Sequence, residues 1–226
     1  MKGLEDSLKY SFKNKELLLN ALTHSSFANE IRDPHASNER LEFLGDSVLS
    51  VIVADYIFSQ FPEKPEGELT KLRASLVCEK SLCSFSKDLG LGEFLRLGKG
   101  EDLNGGRNRP SILADAFEAV LAAMYLDGGM EVARRHVMRF VIDELKHTED
   151  EVFKDYKTSL QEIIQQNPEE QLSYVLTNES GPDHDKSFTV EVHLNSNVIG
   201  TGIGKNKKQA EQAAAKQALI LMGIKV

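Results

Sequence analysis

The chain has 226 residues, 41% of them hydrophobic and 27% charged, and a net charge of −8. That length allows two small domains with true apolar cores, while the acidic balance excludes a general electrostatic grip on a polyanion. Residues 1–148 carry 19 basic against 23 acidic side chains, and residues 149–226 carry 8 against 12.

The first six residues lack the layout of a signal peptide, and no apolar run reaches the roughly 18 residues a membrane span needs. Cys78 and Cys83 have no cysteine or histidine nearby at metal-ligand spacing. Reduced thiols and a cytoplasmic protein are therefore expected.

From Asn14 to about His147 apolar positions recur at three and four, in KELLLNALTHSSF, RLEFLGDSVLSVIVADYIF, GELTKLRASLVCEKSLCSFSKDLG, PSILADAFEAVLAAMYLDGG and MEVARRHVMRFVIDELK. Pro34, Pro62, Pro65 and the stretch Gly98 to Gly106 break the pattern. Pro110 suits a first helical turn, and Gly128-Gly129 a helix end. Residues 1–148 are thus expected to form an all-α domain, and the acidic residues 149–154 a linker. Beyond them the rhythm changes. DYKTSLQEIIQQ reads as a helix, LSYVLTNES, SFTVEVHLN and NVIGTGIG as strands, and KKQAEQAAAKQALILM as a closing helix. Residues 155–226 are expected to be a small α+β domain, α-β-β-β-α, with both helices on one face of an antiparallel sheet.

In NERLEFLGDSVLS, Glu39, Glu42 and Asp46 are spaced i, i+3, i+7. At 100° per residue they fall at about 0°, −60° and −20°, on one helix face, opposite a core stripe of Leu41, Leu44 and Val48. Like charges so stacked repel, and a cation there reverses the sign. Asp115 and Glu118 are spaced i, i+3 on an otherwise apolar helix, where acids are rarely left uncompensated. Glu68 stands near a helix start, which the helix dipole alone accounts for. If the two acid-bearing helices cross, four carboxylates meet. All-oxygen ligation suits Mg²⁺ or Mn²⁺ rather than zinc, and hard-cation sites act chiefly on phosphates.

These residues also carry a resemblance. NERLEFLGDSVLS, with LLLNALTHSSF, GELTKLRASLV and LADAFEAVLAAMYLDGG, resembles the ribonuclease III family. The C-terminal part, DYKTSLQEIIQ followed by GPDHDKSFTVEV and KNKKQAEQAAAKQAL, is similar to a double-stranded-RNA-binding domain. The resemblance implies an all-α endonuclease domain followed by that binding domain, and Mg²⁺-dependent cleavage of double-stranded RNA, with Mn²⁺ able to substitute. It implies 5′-phosphate and 3′-hydroxyl ends with two-nucleotide 3′ overhangs, and processing of ribosomal, transfer and messenger RNA precursors. Glu42, Asp46, Asp115 and Glu118 are the implied metal site. Asp46 and Glu118 are the most critical of these, with Glu39 and Glu68 as further acids of the cleavage site. The family's homodimer implies an interface through Phe43, Leu44 and Leu49. A relative that keeps the fold as a catalytically silent RNA-binding protein is the alternative, and would be expected to lack site acids.

Duplex RNA is read by shape, across two minor grooves and the phosphates between them. Thr158, Gln161 and Glu162 on the first helix of the second domain, His184 in the loop GPDHDK, and Lys205, Lys207 and Lys208 at the last helix are the expected contacts. Ammonium groups at a helix N-terminus oppose its dipole and so point to an anionic partner. Asp183 and Asp185 flank His184, and residues 155–226 hold 7 lysines against 9 acids. Weak, strongly salt-sensitive binding by this domain alone is expected.

Overall fold

A computed structural model describes residues 2–153, 155–167, 169–182 and 186–224, with the backbone alone for 147–153. His184, Asp183 and Asp185 lie outside the described residues. The chain divides into two compact units, Met1–Glu149 and Asp150–Val226.

The first unit is helical: α1 (Lys2–Leu8), α2 (Lys15–Ala21), α3 (Ser25–Glu30), α4 (Glu39–Gln60), α5 (Glu66–Leu76), α6 (Glu79–Asp88), α7 (Leu91–Phe94), α8 (Lys99–Leu103), α9 (Pro110–Gly128) and α10 (Met130–Phe153). Two runs of helical periodicity prove to be helix pairs. The first breaks after Ala21, where Thr23 bridges to Arg96 and His24 adopts the extended backbone of an N-cap. The second breaks at Val77, because Cys78 is extended and starts α6 as its cap residue. Helix α10 continues to Phe153, through most of the polar stretch 149–154, since charged residues with good helix propensity prolong a helix as readily as they end one. Both cysteines are free. Among the described residues no helix is long and apolar enough to cross a membrane.

Helix α9 is the axis of this unit. Eleven of its residues, from Ile112 to Met124, are buried, and α4 packs along it. The contact is closest at Gly45, where a Cβ would stand 1.9 Å from the Glu118 carbonyl oxygen and 2.4 Å from its carbon. Only a residue without a side chain permits that approach. Behind α9, Phe117 stacks on His136 at 5.7 Å between ring centroids, with Phe85 and Phe140 completing an aromatic cluster.

The second unit comprises α11 (Tyr156–Ile164), β1 (Leu172–Ser180), β2 (Ser187–Leu194), β3 (Asn197–Gly204) and α12 (Lys207–Leu221). The sheet is antiparallel in the order β1-β2-β3, with Leu172 opposite Leu194 and Phe188 opposite Gly204. Leu160 and Ile164 of α11, Val190 and Val192 of β2 and Ala210, Ala214, Ala215 and Ala218 of α12 form one core. Here too a helix lies on bare backbone. A Cβ at Gly202 would meet the Ala214 nitrogen at 2.1 Å.

Two expectations follow. Alanine at position 45 gains about 1 kcal/mol of helix propensity but forces two backbones apart, an overpacking cost of up to about 3 kcal/mol. The clash wins, and urea denaturation of Gly45→Ala should show a net loss of about 2 kcal/mol. Burial, with Arg139 nearby, pushes the His136 imidazole down to about 3. Its neutral form is thus the native one, and its contribution to stability is complete above its unfolded pKa of about 6.5. That contribution falls by up to about 1.4 kcal/mol per unit as pH drops toward 3. His136→Phe should flatten this acid limb in denaturation curves measured between pH 6.5 and 4.

Candidate active site and RNA-binding face

The start of α4 is tied down by Asn38, which is 3% exposed. Its backbone N–H donates to the Thr23 carbonyl at 2.8 Å and its side chain to the Ala21 carbonyl at 3.3 Å. From that fixed start Glu42 points toward α9. Carboxylate oxygens of Glu42, Asp115 and Glu118 all lie within 4.8 Å of one another, the one such cluster of acids, histidines or cysteines among the described residues. No lysine or arginine of the described residues pairs with any of them.

The electrostatics follow from that geometry. Burial, then Asp46, Glu42 and Asp115, push the Glu118 carboxyl up to about 8. Glu42 is raised by burial and by Asp115, Glu39 and Asp46. Asp115 is raised by burial and by Glu79, against the lowering effect of His24. An acid cluster that resists its own ionisation lacks positive charge. The donors are all oxygens, so the residues present fit a hard divalent cation and not a thiolate- or imidazole-seeking one.

The other sequence-derived residues are placed differently. Asp46 is exposed and outside the group of three, yet near enough to raise both Glu42 and Glu118. Glu39 accepts from the Ser37 hydroxyl at 3.0 Å, and Glu68 pairs with Lys64 at 2.9 Å. Leu49 is completely buried, which corrects its assignment to an interface: it packs inside its own domain. Leu44 is half-buried rather than part of a closed core stripe. Phe43 is 77% exposed and joins Val51 and Phe58 in an apolar strip along α4. Gly45 and His24 went unnoticed in the sequence. A glycine inside a long helix is itself a packing signal, whereas nothing local marks His24 as a neighbour of Asp115.

In the second unit the Thr158 hydroxyl donates to Asp155 at 2.7 Å, leaving its lone pairs free to accept. Gln161 and Glu162 are exposed beside it. Asn206 caps α12, accepting from the Gln209 N–H at 2.9 Å. This cap presents Lys205, Lys207 and Lys208 to solvent, and none of the three pairs with an acid among the described residues.

A helical domain with converging carboxylates, followed by an α-β-β-β-α module, defines a two-domain nuclease that carries its own reader of duplex RNA. Residues 14–145 match the family described as ribonuclease-III-like, and residues 156–222 match the double-stranded RNA binding motif. The chain is 51% identical to Ribonuclease 3 of Caldanaerobacter subterraneus subsp. tengcongensis, covering 98% of this chain and 97% of that protein. It is 49% identical to Ribonuclease 3 of Clostridium tetani, covering 97% and 93%. The crystal structure of the nuclease domain of ribonuclease III from Campylobacter jejuni matches with a TM-score of 0.59 and 45% identity, over 64% of this chain and 95% of that one. This chain belongs to the ribonuclease III family.

The raised Glu118 carboxyl gives a signed expectation. Its folded pKa, about 8, exceeds the unfolded value near 4.5. The native state therefore binds the extra proton, and this group's contribution to stability diminishes as pH rises from 4.5 to 8. In metal-free protein Glu118→Gln should remove that slope from thermal denaturation curves. Asp46→Asn should lower the Glu118 titration followed by carboxyl NMR.

Proposed function

We propose that the chain cleaves double-stranded RNA endonucleolytically, with Glu42, Asp46, Asp115 and Glu118 holding Mg²⁺ between α4 and α9. The observation that carries this is the convergence of Glu42, Asp115 and Glu118 with no counter-cation, in a chain that also bears a duplex-RNA reader. When bound, the ion lowers the pKa of a ligated water and offsets charge developing on the phosphodiester. Glu118 and Glu42 would hold the ion as carboxylates, without the protons that burial and crowding favour in its absence. Asp46, one turn along α4 from Glu42, would be the fourth residue to hold the ion. Glu39 and Glu68, outside the group, face substrate. Mn²⁺ satisfies the same oxygen donors.

The functional division is a catalytic domain at 1–148, a junction at 149–154 and an RNA-binding domain at 155–226. Thr158, Gln161, Glu162 and His184 meet minor grooves, while Lys205, Lys207 and Lys208 meet phosphates. The exposed strip of Phe43, Val51 and Phe58 serves a homodimer. One solved relative is described by its region involved in dimer formation: the Campylobacter jejuni nuclease domain, 46% identical with a TM-score of 0.59 over 62% of this chain and 94% of that one. Paired sites cutting opposite strands leave 5′-phosphate and 3′-hydroxyl ends with two-nucleotide 3′ overhangs. Precursors of ribosomal, transfer and messenger RNA in the cytoplasm are the proposed substrates.

With Mg²⁺ and a long RNA duplex, Glu118→Gln should lower the cleavage rate by roughly 100-fold or more while gel-shift binding persists. Wild-type protein that binds duplex but never cuts it would identify a silent RNA-binding protein instead. Replacing Lys205, Lys207 and Lys208 with Gln should weaken binding to all duplex sequences. It should also reduce the slope of log K against log salt by about 2 to 3; an unchanged slope would remove these lysines from the interface.

A further inference from the structure

The first turn of α11 is held from another helix. Backbone N–H groups at a helix start have no intrahelical acceptor and turn to the cap residue, to water or to a neighbour. Here the Lys157 N–H donates to the Gln212 Oε1 of α12 at 3.1 Å, and the Gln212 Nε2 donates to the Asp155 Oδ1 at 2.7 Å. These two bonds fix which end of the amide is which, because a backbone N–H only donates and a carboxylate only accepts. Asp155 is thereby oriented. Its Oδ2 accepts from the Thr158 hydroxyl at 2.7 Å, and its Oδ1 also accepts from the Thr158 N–H at 3.2 Å. Lys157 is pinned as well: it pairs with Glu211 at 2.5 Å and lies 4.7 Å from the centre of the Tyr174 ring on β1.

This arrangement goes beyond capping. An aspartate caps a helix without help from a second helix, through its bond to an N–H of the first turn. What Gln212 adds is a hold on the carboxylate, which keeps Oδ2 facing the Thr158 hydroxyl. The Thr158 proton is then committed inward, and the oxygen offers only lone pairs outward. A group with lone pairs alone needs a donor. In the minor groove of duplex RNA the donors are the ribose 2′-hydroxyls and the 2-amino group of guanine, the other base atoms there being acceptors.

We propose that Gln212 is a positioning residue for RNA recognition: through Asp155 it sets Thr158 to accept from a minor-groove donor, a 2′-hydroxyl or a guanine amino group. The inference rests on the reading of Thr158 as an RNA contact and names the chemistry of that contact. Gln212 lies on the helix that begins at Lys207 and Lys208, so one side chain ties the minor-groove contact to the element carrying the phosphate-facing lysines.

The test is fluorescence anisotropy of the full chain in EDTA, at constant salt, with an RNA duplex of about 20 base pairs, longer than the roughly 16 such a domain spans. Thr158→Val and Gln212→Leu should each weaken binding about three- to tenfold, the worth of one net hydrogen bond. T158V/Q212L should match T158V within about twofold, because both changes act on one contact. A general loosening of the domain would add to the effect of T158V instead. Q212E alone sets two carboxylates together and should bind no better than Q212L. D155N/Q212E exchanges amide and carboxylate at unchanged net charge, and should regain most of what Q212E loses. The penalty of T158V should vanish on a 2′-fluoro duplex if the donor is the 2′-hydroxyl. It should vanish with inosine in place of guanosine if the donor is the amino group. Wild-type affinity in Q212L, full additivity with T158V, or no recovery in D155N/Q212E would each overturn the role of Gln212. Unchanged affinity in T158V would overturn it together with the RNA contact at Thr158, and a penalty kept on both modified duplexes would overturn the donor assignment.

Discussion

The nuclease domain depends on one backbone contact, the approach of α4 to α9 at Gly45. The absent side chain lets the helix bearing Glu42 and Asp46 rest directly on the peptide that carries Glu118. The carboxylate cluster is a consequence of that distance. Were the helices separated by an ordinary side-chain layer, their axes would lie about 8–10 Å apart and the two backbones would not touch. The burial, and after it the repulsion, that raise Glu118 and Glu42 are therefore built in by packing, which the apolar surroundings of α9 sustain.

The RNA-binding domain uses the same device in another setting. Gly202 on β3 admits the backbone of α12, and the alanines of that helix, Ala210, Ala214 and Ala218, keep the layer thin. A rigid base for the Lys205–Lys208 turn follows, because the cap at Asn206 and the packing at Ala210 leave its backbone little freedom. Three ammonium groups then project from a defined place although the domain as a whole is acidic. Local arrangement outweighs net charge here, as screening over about 8–10 Å requires for interactions with a polyanion.

Much of this was legible in the amino-acid sequence. Period three-to-four against period two separated the domains, and acids at one-turn spacing on NERLEFLGDSVLS and LADAFEAVLAAMYL marked the pair of helices that meet. Glu42, Asp115 and Glu118 do converge, because spacing along a helix determines which side chains share a face. Contacts between elements were less visible. Leu49 could not be distinguished from an interface residue, since a buried and an exposed leucine obey the same periodicity. The breaks at Thr23 and Val77 depend on tertiary bonds and on cap geometry rather than on proline or glycine. Helix α10 overran the acidic stretch because charge alone does not end a helix. His24 reaches the neighbourhood of Asp115 through the packing of α2, which ends three residues before it, against α9, a relation with no counterpart in local spacing.

The atoms facing Gly45 belong to the main chain, and every amino acid supplies the same ones. A bulkier residue at that position therefore cannot be accommodated by trimming its neighbour, as happens in side-chain cores. Genetic selection for restored function in such a variant should return revertants at codon 45 and few intragenic suppressors. That point in the helix is closed to compensatory evolution, even while the surface around it drifts.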